Sequence, residues 1–184
     1  MRPTNNLRVK RVAIILVLIV VVFGALVFGL LYFMGRPPKE ASLIRNFNAH
    51  RASFERLKTM LVSDTQIRRL GDWGVETDKG MFEPPAGNIP LDRYKEYIAL
   101  LKESGGIDAV REDGIHANPS IVLWVIGLGG DTTHVGICWK DEAPGRLVGS
   151  LDQYCRDHKA PAGSGWVYQR IEGNWYLWTD VGVR

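Results

Sequence analysis

The sequence has little of the chemistry that most enzymes and metalloproteins use. It contains two cysteines and four histidines, and the histidines are scattered along the chain. Only Cys155 and His158 have a ligand-like spacing, which is half of a zinc site. No Gly-Lys-Ser/Thr follows the glycine-rich stretch at 127–130, so that stretch is not a phosphate-binding loop. We therefore expect no cofactor and no metal.

An excess of positive charge is also missing beyond the first residues of the chain. The formal net charge is +3, but four cations and no acid lie before residue 12, so the rest of the chain is near −1. A nucleic-acid-binding domain needs a basic patch. We expect no nucleic-acid partner.

Residues 12–34 contain no charge, no proline and no side-chain amide. As a helix this run would extend about 34 Å, which exceeds the roughly 30 Å hydrocarbon core of a bilayer. The apolar part of a signal peptide is shorter and ends in small residues. Here the run ends in Tyr32, Phe33 and Met34. The sequence predicts an uncleaved transmembrane helix, with the lipid bilayer as a partner and a cleavable signal peptide as the alternative.

The flanking charges predict the orientation of this helix. Basic residues next to a membrane span favour the cytoplasm, which places the basic tail 1–11 inside the cell. Pro37 and Pro38 end the helix in a linker at 35–40. Residues 41–184 are then one exported domain. In an oxidising compartment Cys138 and Cys155 can form a disulfide, and the alternative is two unpaired thiols.

The periodicity of the exported part predicts an α+β domain. Apolar residues recur at helical spacing over 40–62 and 92–103, and the first stripe also fits a short coiled-coil seam through His50. A strand or irregular edge over 66–76 and a loop over 79–90 lie between the two helices. Further strands are predicted at 107–112, 121–127, 133–140, 145–151, 166–172 and 175–179. We expect two helices packed on a mostly antiparallel sheet of about five to seven strands.

Four segments carry a resemblance to a known group of proteins. They are FNAHR at 47–51, FERL at 54–57, GICW at 136–139 and IEGNWYLW at 171–178. The chain resembles a group of short, membrane-anchored bacterial envelope proteins with no assigned activity. The resemblance implies a bacterial inner-membrane protein with its C-terminal domain in the periplasm, and it implies no chemistry.

The most distinctive functional feature is the aromatic content of the last two strands. Large aromatics beside arginine are typical of protein interfaces, although core packing is an alternative reading. We predict a non-catalytic domain that binds an envelope protein or peptide, with an immunity-like protein as one form. The oligomeric state stays open. The candidate partner-binding residues are Trp166, Tyr168, Arg170, Tyr176 and Trp178.

A small envelope hydrolase that uses Cys138 or Cys155 with a histidine is the alternative function. His134 and Cys138 are four residues apart on a predicted strand, so they share a face but lie about 13 Å apart. That distance is too long for a thiol to contact an imidazole directly. The sequence therefore does not favour catalysis by this pair.

Overall fold

The computed structural model describes residues 16, 18–26, 29, 37–82, 89–112, 118–128, 131–157 and 165–181. The chain divides into two compact units, Met1–Pro37 and Pro38–Arg184. In the first unit residues 18–26 are α-helical, and their large apolar side chains are 57–69% exposed. The tail 1–11 and much of the predicted span 12–34 lie outside the described residues. Within the described part, no helix combines the length and apolar character needed to cross a membrane.

The second unit is an α+β domain. Its described helices are α1 (Glu40–Ala49), α2 (Arg51–Ser63), α3 (Leu91–Ser104) and α4 (Leu151–Asp157). Its described strands are β1 (Arg69–Gly71), β2 (Gly74–Thr77), β3 (Gly80–Phe82), β4 (Asp108–Glu112), β5 (Asn118–Leu128), β6 (Asp131–Trp139), β7 (Leu147–Val148), β8 (Gly165–Glu172) and β9 (Trp175–Val181).

The nine strands form one sheet in the order β3-β2-β1-β4-β5-β6-β9-β8-β7. Every pairing is antiparallel except that between β7 and β8. The apolar strand β5 lies in the middle, as expected for a strand buried on both sides. The predicted number of strands was too low because the segment 66–76 is a hairpin of two short strands, and β3 lies in the predicted loop 79–90. Strands of three or four residues are too short to show a period of two. Residues 83–88 of that loop lie outside the described residues.

The predicted first helix, 40–62, is two helices that meet at His50. The backbone of His50 has φ −118° and ψ 26°, which is outside the helical region. Its N–H still donates to Asn46 O at 3.0 Å, and its carbonyl accepts from Phe54 N at 3.2 Å, so the bend leaves both groups bonded. The bend lets Phe47 and Phe54 both contact Trp175, with ring centroids 5.3 and 6.3 Å away. The apolar stripe therefore packs on the domain's own sheet.

The predicted second helix is confirmed as α3. Pro90 precedes it, as is favoured just before the first helical turn, and Gly105 ends it with φ 70°. Only a glycine adopts this left-handed conformation without a steric penalty. The backbone N–H groups of Gly105 and Gly106 donate hydrogen bonds to carbonyl oxygens of the last turn of α3, and these bonds cap the end of the helix.

The segment predicted as a strand at 145–151 contains only the two-residue β7 and then begins α4. The Ser150 hydroxyl accepts a hydrogen bond from Gln153 N at 3.1 Å, which caps the first turn of α4. Ser150 and Gln153 have the spacing of a capping box, so the sequence does carry a helix-start signal at this point. The amide of Leu151 donates to the buried Gln169 Oε1 at 2.7 Å, which ties α4 to β8.

The two faces of the sheet have different surroundings. The face that carries Val167, Trp175 and Leu177, here called the helix face, forms the main core with α1, α2 and α3. The opposite face, which carries Tyr168, Tyr176 and Trp178 and is here called the open face, holds a separate, smaller core with Val122 and Cys138.

Candidate binding groove on the open face of the sheet

All five predicted partner-binding residues lie on the open face. Trp166, Tyr168 and Arg170 alternate along β8, and Tyr176 and Trp178 alternate along β9. In the ladder Tyr168 pairs with Trp178, and Arg170 pairs with Tyr176. Because alternate residues of a strand point to one side, the five side chains form a single layer.

Only part of this layer is accessible. Trp166 is 38% exposed and stacks on Trp178, with ring centroids 4.4 Å apart and planes 27° apart. Arg170 is exposed and donates to the Tyr176 hydroxyl at 3.0 Å. Trp178 and Tyr176 are 2% and 1% exposed. These two side chains are therefore covered in this structure, and their contact with a partner stays a prediction.

Gly136 makes room for the buried indole of Trp178. The two residues are paired across β6 and β9. A Cβ at position 136 would lie 2.7 Å from Trp178 Nε1 and would also meet the carbonyl oxygen of Ile121. The Trp178 ring therefore lies directly over the Gly136 backbone, which explains why this strand needs a glycine at that position.

A groove of about 480 Å³ lies on this part of the domain. In a flat sheet β4 and β8 would be about 19 Å apart, because three strands separate them. Residues from both strands line the same groove, so the sheet curves and its open face is concave. The lining residues that the structure describes are Arg68, Arg69, Glu76, Val110, Arg111, Trp166 and Tyr168.

Among the described residues, the charged lining of the groove is three arginines and one glutamate, and the arginines differ in their partners. Arg69 Nε donates to Asp108 Oδ2 at 2.9 Å, and Asp108 is only 1% exposed. Arg68 lies 3.7 Å from Asp78, which is 80% exposed, so this ion pair is weak. Arg111 alternates with Val110 along β4, so its side chain leaves the strand on the side of Ala109 and the main core. The groove is therefore an electropositive site with an aromatic wall.

Three polar atoms on the open face are buried without a hydrogen-bond partner among the described residues. They are Asn118 Oδ1, Ser120 Oγ and Trp178 Nε1. The register places Ser120 beside Val110, which lines the groove, and beside Cys138. Asn118 lies two residues earlier on the same side of β5. A buried polar group without a partner costs about 1–3 kcal/mol, so these atoms favour a ligand that can bond to them.

A histidine–aspartate pair lies near one end of the same face, and sequence reasoning did not find it. His134 Nδ1 is 2.5 Å from Asp180 Oδ2, and the backbone N–H of His134 donates to the other carboxylate oxygen. Asp180 lies across from Trp166 in the ladder. The two residues are 46 positions apart, so no local pattern links them.

The two cysteines lie on different sides of the sheet. Cys138 is buried in the small core of the open face, and Cys155 is exposed on α4, which packs on the helix face through Leu151. Neither forms a disulfide in this structure. The fold thus does not support the predicted disulfide, because the sheet separates the two sulfurs. Burial, followed by the Asp152 carboxylate, raises the pKa of the Cys155 thiol.

The described residues hold no cluster of three or more metal-ligating side chains. His158, the partner of Cys155 in the predicted half-site, lies outside the described residues. His134 and Cys138 share the open face, as predicted, but the imidazole pairs with Asp180 and the thiol is buried in the small core. The groove combines aromatic surface with positive charge, and this combination suits the binding of a ligand.

No family model, curated protein or solved structure matches this chain.

Proposed function

We propose that the domain at 41–184 is a non-catalytic binding module that takes a protein or peptide partner in the groove of its open face. The observation that carries this proposal is the aromatic wall of Trp166 and Tyr168 in one groove with three arginines. Tryptophan, tyrosine and arginine are the residues that contribute most to binding energy at protein interfaces. The Trp166 ring stacks on the buried Trp178 ring, which restricts its motion. Little side-chain entropy is therefore lost when a partner binds.

The location proposed for this module is the periplasmic side of a bacterial inner membrane. A single helix at 12–34 would anchor it, with the N-terminus in the cytoplasm. The uncharged run and the four cations before it support this placement. The exposed apolar side chains of the helical residues 18–26 also suit a lipid environment. The partner would then be another protein of the envelope.

The alternative function, a cysteine hydrolase, gains no support from the geometry. Cys138 is fully buried, and Cys155 has a raised thiol pKa, which lowers the fraction of reactive thiolate. The His134 imidazole is engaged by Asp180 and lies on the opposite face of the sheet from α4, which carries Cys155.

Site-specific photocrosslinking tests the proposed function. A photoreactive amino acid replaces Trp166 in the full-length protein, expressed in the cells that naturally make it. A matched protein carries the same amino acid at Ala99, which is exposed on α3. We expect a discrete adduct from position 166 that is absent from position 99. The adduct should also disappear when Arg111→Glu is introduced, because an anion then replaces a cation among the residues that line the groove.

Each outcome of this experiment has a clear meaning. Equal adducts from positions 166 and 99, or no adduct from position 166, would contradict binding in the groove. An adduct that persists unchanged with Arg111→Glu would also count against it, since the captured protein would not depend on the groove's charge.

A further inference from the structure

The His134–Asp180 pair presents hydrogen-bond acceptors at the surface of the open face. His134 Nδ1 lies 2.5 Å from Asp180 Oδ2, and the backbone N–H of His134 donates to the other carboxylate oxygen. In a neutral imidazole whose Nδ1–H donates to a carboxylate, Nε2 is an acceptor. Each carboxylate oxygen also keeps a second lone pair. The pair can therefore accept hydrogen bonds from a group that carries several N–H donors.

The negative charge of Asp180 is not balanced by a lysine or an arginine of the described part of the chain. The hydrogen bonds to its carboxylate come from His134 alone. The two side chains are 22% and 25% exposed, so a ligand can reach them. Neither residue is among the described residues that line the groove. The pair is thus a separate anionic site beside the groove.

Exposed apolar side chains border this pair on both sides. In the ladder Val125 lies across from His134 and Trp166 lies across from Asp180, and the two apolar residues are 37% and 38% exposed. The Trp166 ring stacks on Trp178, and its exposed part is open to a ligand. A guanidinium stacks on an indole ring and donates hydrogen bonds in its own plane. An arginine side chain therefore matches both the ring and the acceptors.

The same face already holds a complete group of this kind. The Asp108 carboxylate accepts from Arg69 Nε at 2.9 Å and from Trp73 Nε1 at 2.7 Å. The Arg69 guanidinium lies over the Trp73 ring, 5.4 Å from its centroid. Asp180 and Trp166 are an aspartate and a tryptophan in similar proximity, and no described arginine joins them. The arginine of the second group would come from the partner.

We infer that the partner places an arginine side chain on Trp166 and the His134–Asp180 pair. Its guanidinium stacks on the exposed indole and donates to the Asp180 carboxylate and to His134 Nε2. This inference rests on the proposed function and adds the chemistry of one partner side chain. Because Trp166 also forms a wall of the groove, one bound segment can occupy the groove and reach the pair.

Selection from a randomised peptide library tests the inference without knowledge of the partner. The full-length protein is held in nanodiscs of zwitterionic lipid at about pH 8, where imidazoles are mostly neutral. It is used to select from a library of random peptides, and we expect the selected peptides to be enriched in arginine. Citrulline has nearly the shape of arginine and no charge. Its substitution for the selected arginine should weaken binding at least about tenfold, since a charge-assisted contact is lost.

Variants of the protein assign this preference to the site. Asp180→Asn should remove most of the preference for the arginine peptide over the citrulline peptide, because the carboxylate charge is lost. Trp166→Ala should weaken binding of the arginine peptide, because the stacking surface is lost. Asp157→Asn removes an exposed carboxylate on α4 and should leave the preference unchanged. Thermal melting by circular dichroism confirms that each variant is folded. The citrulline comparison needs no variant protein, so it decides the question even if Asp180→Asn does not fold.

Selection of no peptide, or of peptides without arginine enrichment, would overturn the inference. Lysine enriched as strongly as arginine would also overturn it, since an ammonium group has no plane to stack on the indole. An arginine preference that survives in folded Asp180→Asn protein would place the arginine elsewhere. Adducts from position 166 in cells together with no arginine selection would remove this inference and leave the proposed function standing.

Discussion

Substitution of Gly136 by alanine should disturb the fold and the groove together. The backbone at Gly136 has no left-handed conformation that would oppose a side chain, so the effect is steric. The new methyl group would lie 2.7 and 2.8 Å from two atoms of the Trp178 indole and would also meet the Ile121 carbonyl oxygen. The backbone of the neighbouring strand cannot move far, so the indole must shift. Because Trp166 stacks on that indole, the wall of the groove shifts with it.

The expected cost is that of adding one methyl group to a packed core. Overpacking of this kind costs about 1–3 kcal/mol. For a domain of this size, 2 kcal/mol corresponds to a fall in Tm of about 4–8 °C. Gly145→Ala is the matched control, since a Cβ there meets no atom within 4 Å.

Thermal melting followed by near-ultraviolet circular dichroism measures both effects on the full-length protein in detergent. The stacked indoles should dominate that signal, so Gly136→Ala should change its shape at low temperature as well as its midpoint. Gly145→Ala should melt within about 1 °C of the wild-type protein, as expected for an exposed site. If Gly136→Ala melted like the wild type and kept the same spectrum, the proposed packing of Trp178 over this strand would be refuted.

Three further predictions concern acid stability, thiol reactivity and topology. Burial alone would raise the pKa of Glu55, but hydrogen bonds led by the Trp175 indole N–H, at 2.8 Å, lower it overall. A lowered pKa adds stability above the unfolded-state value of about 4.3, and this stability is lost as the pH falls through the folded-state pKa. Glu55→Gln should therefore reduce the loss of Tm between pH 5 and pH 3, and an unchanged pH profile would contradict it. In native protein one thiol, Cys155, should react with an alkylating reagent, and Cys138 should react only in denaturant; labelling of both without denaturant would show that the small core is open. A reporter that is active only outside the cytoplasm, fused after the last residue, should be active, whereas a stable but inactive fusion would reverse the proposed orientation.

Hydrophobic periodicity, together with residues that mark helix ends, predicted the helices and strands that are long enough to show these signals. The helix α3 begins and ends within one residue of the prediction, because Pro90 and Gly105 mark its ends chemically. Strands β5, β6, β8 and β9 also follow their predicted segments, since each alternates or is uniformly apolar over several residues. The short strands β1, β2 and β3 have too few residues for either signal.

Local pattern also established which residues within each strand of the last hairpin share a face. Alternation along β8 places Trp166, Tyr168 and Arg170 together whatever the rest of the fold does. It could not say which of the aromatic side chains would be accessible. That depends on the stack of Trp166 over Trp178, and on the room that Gly136 leaves for the lower ring.

The sequence by itself determined the uncharged run at 12–34, the near-neutral charge of the remaining chain, the α+β class and the alternation of aromatic residues along the last two strands. Only the tertiary structure decided the bend at His50, the separation of the two cysteines, the pairing of His134 with Asp180 and the groove itself. Each of these depends on residues far apart in the chain. The groove exists because the sheet curves until β4 and β8 line one cavity, and sheet curvature arises from the twist and packing of all the strands, which no single segment encodes.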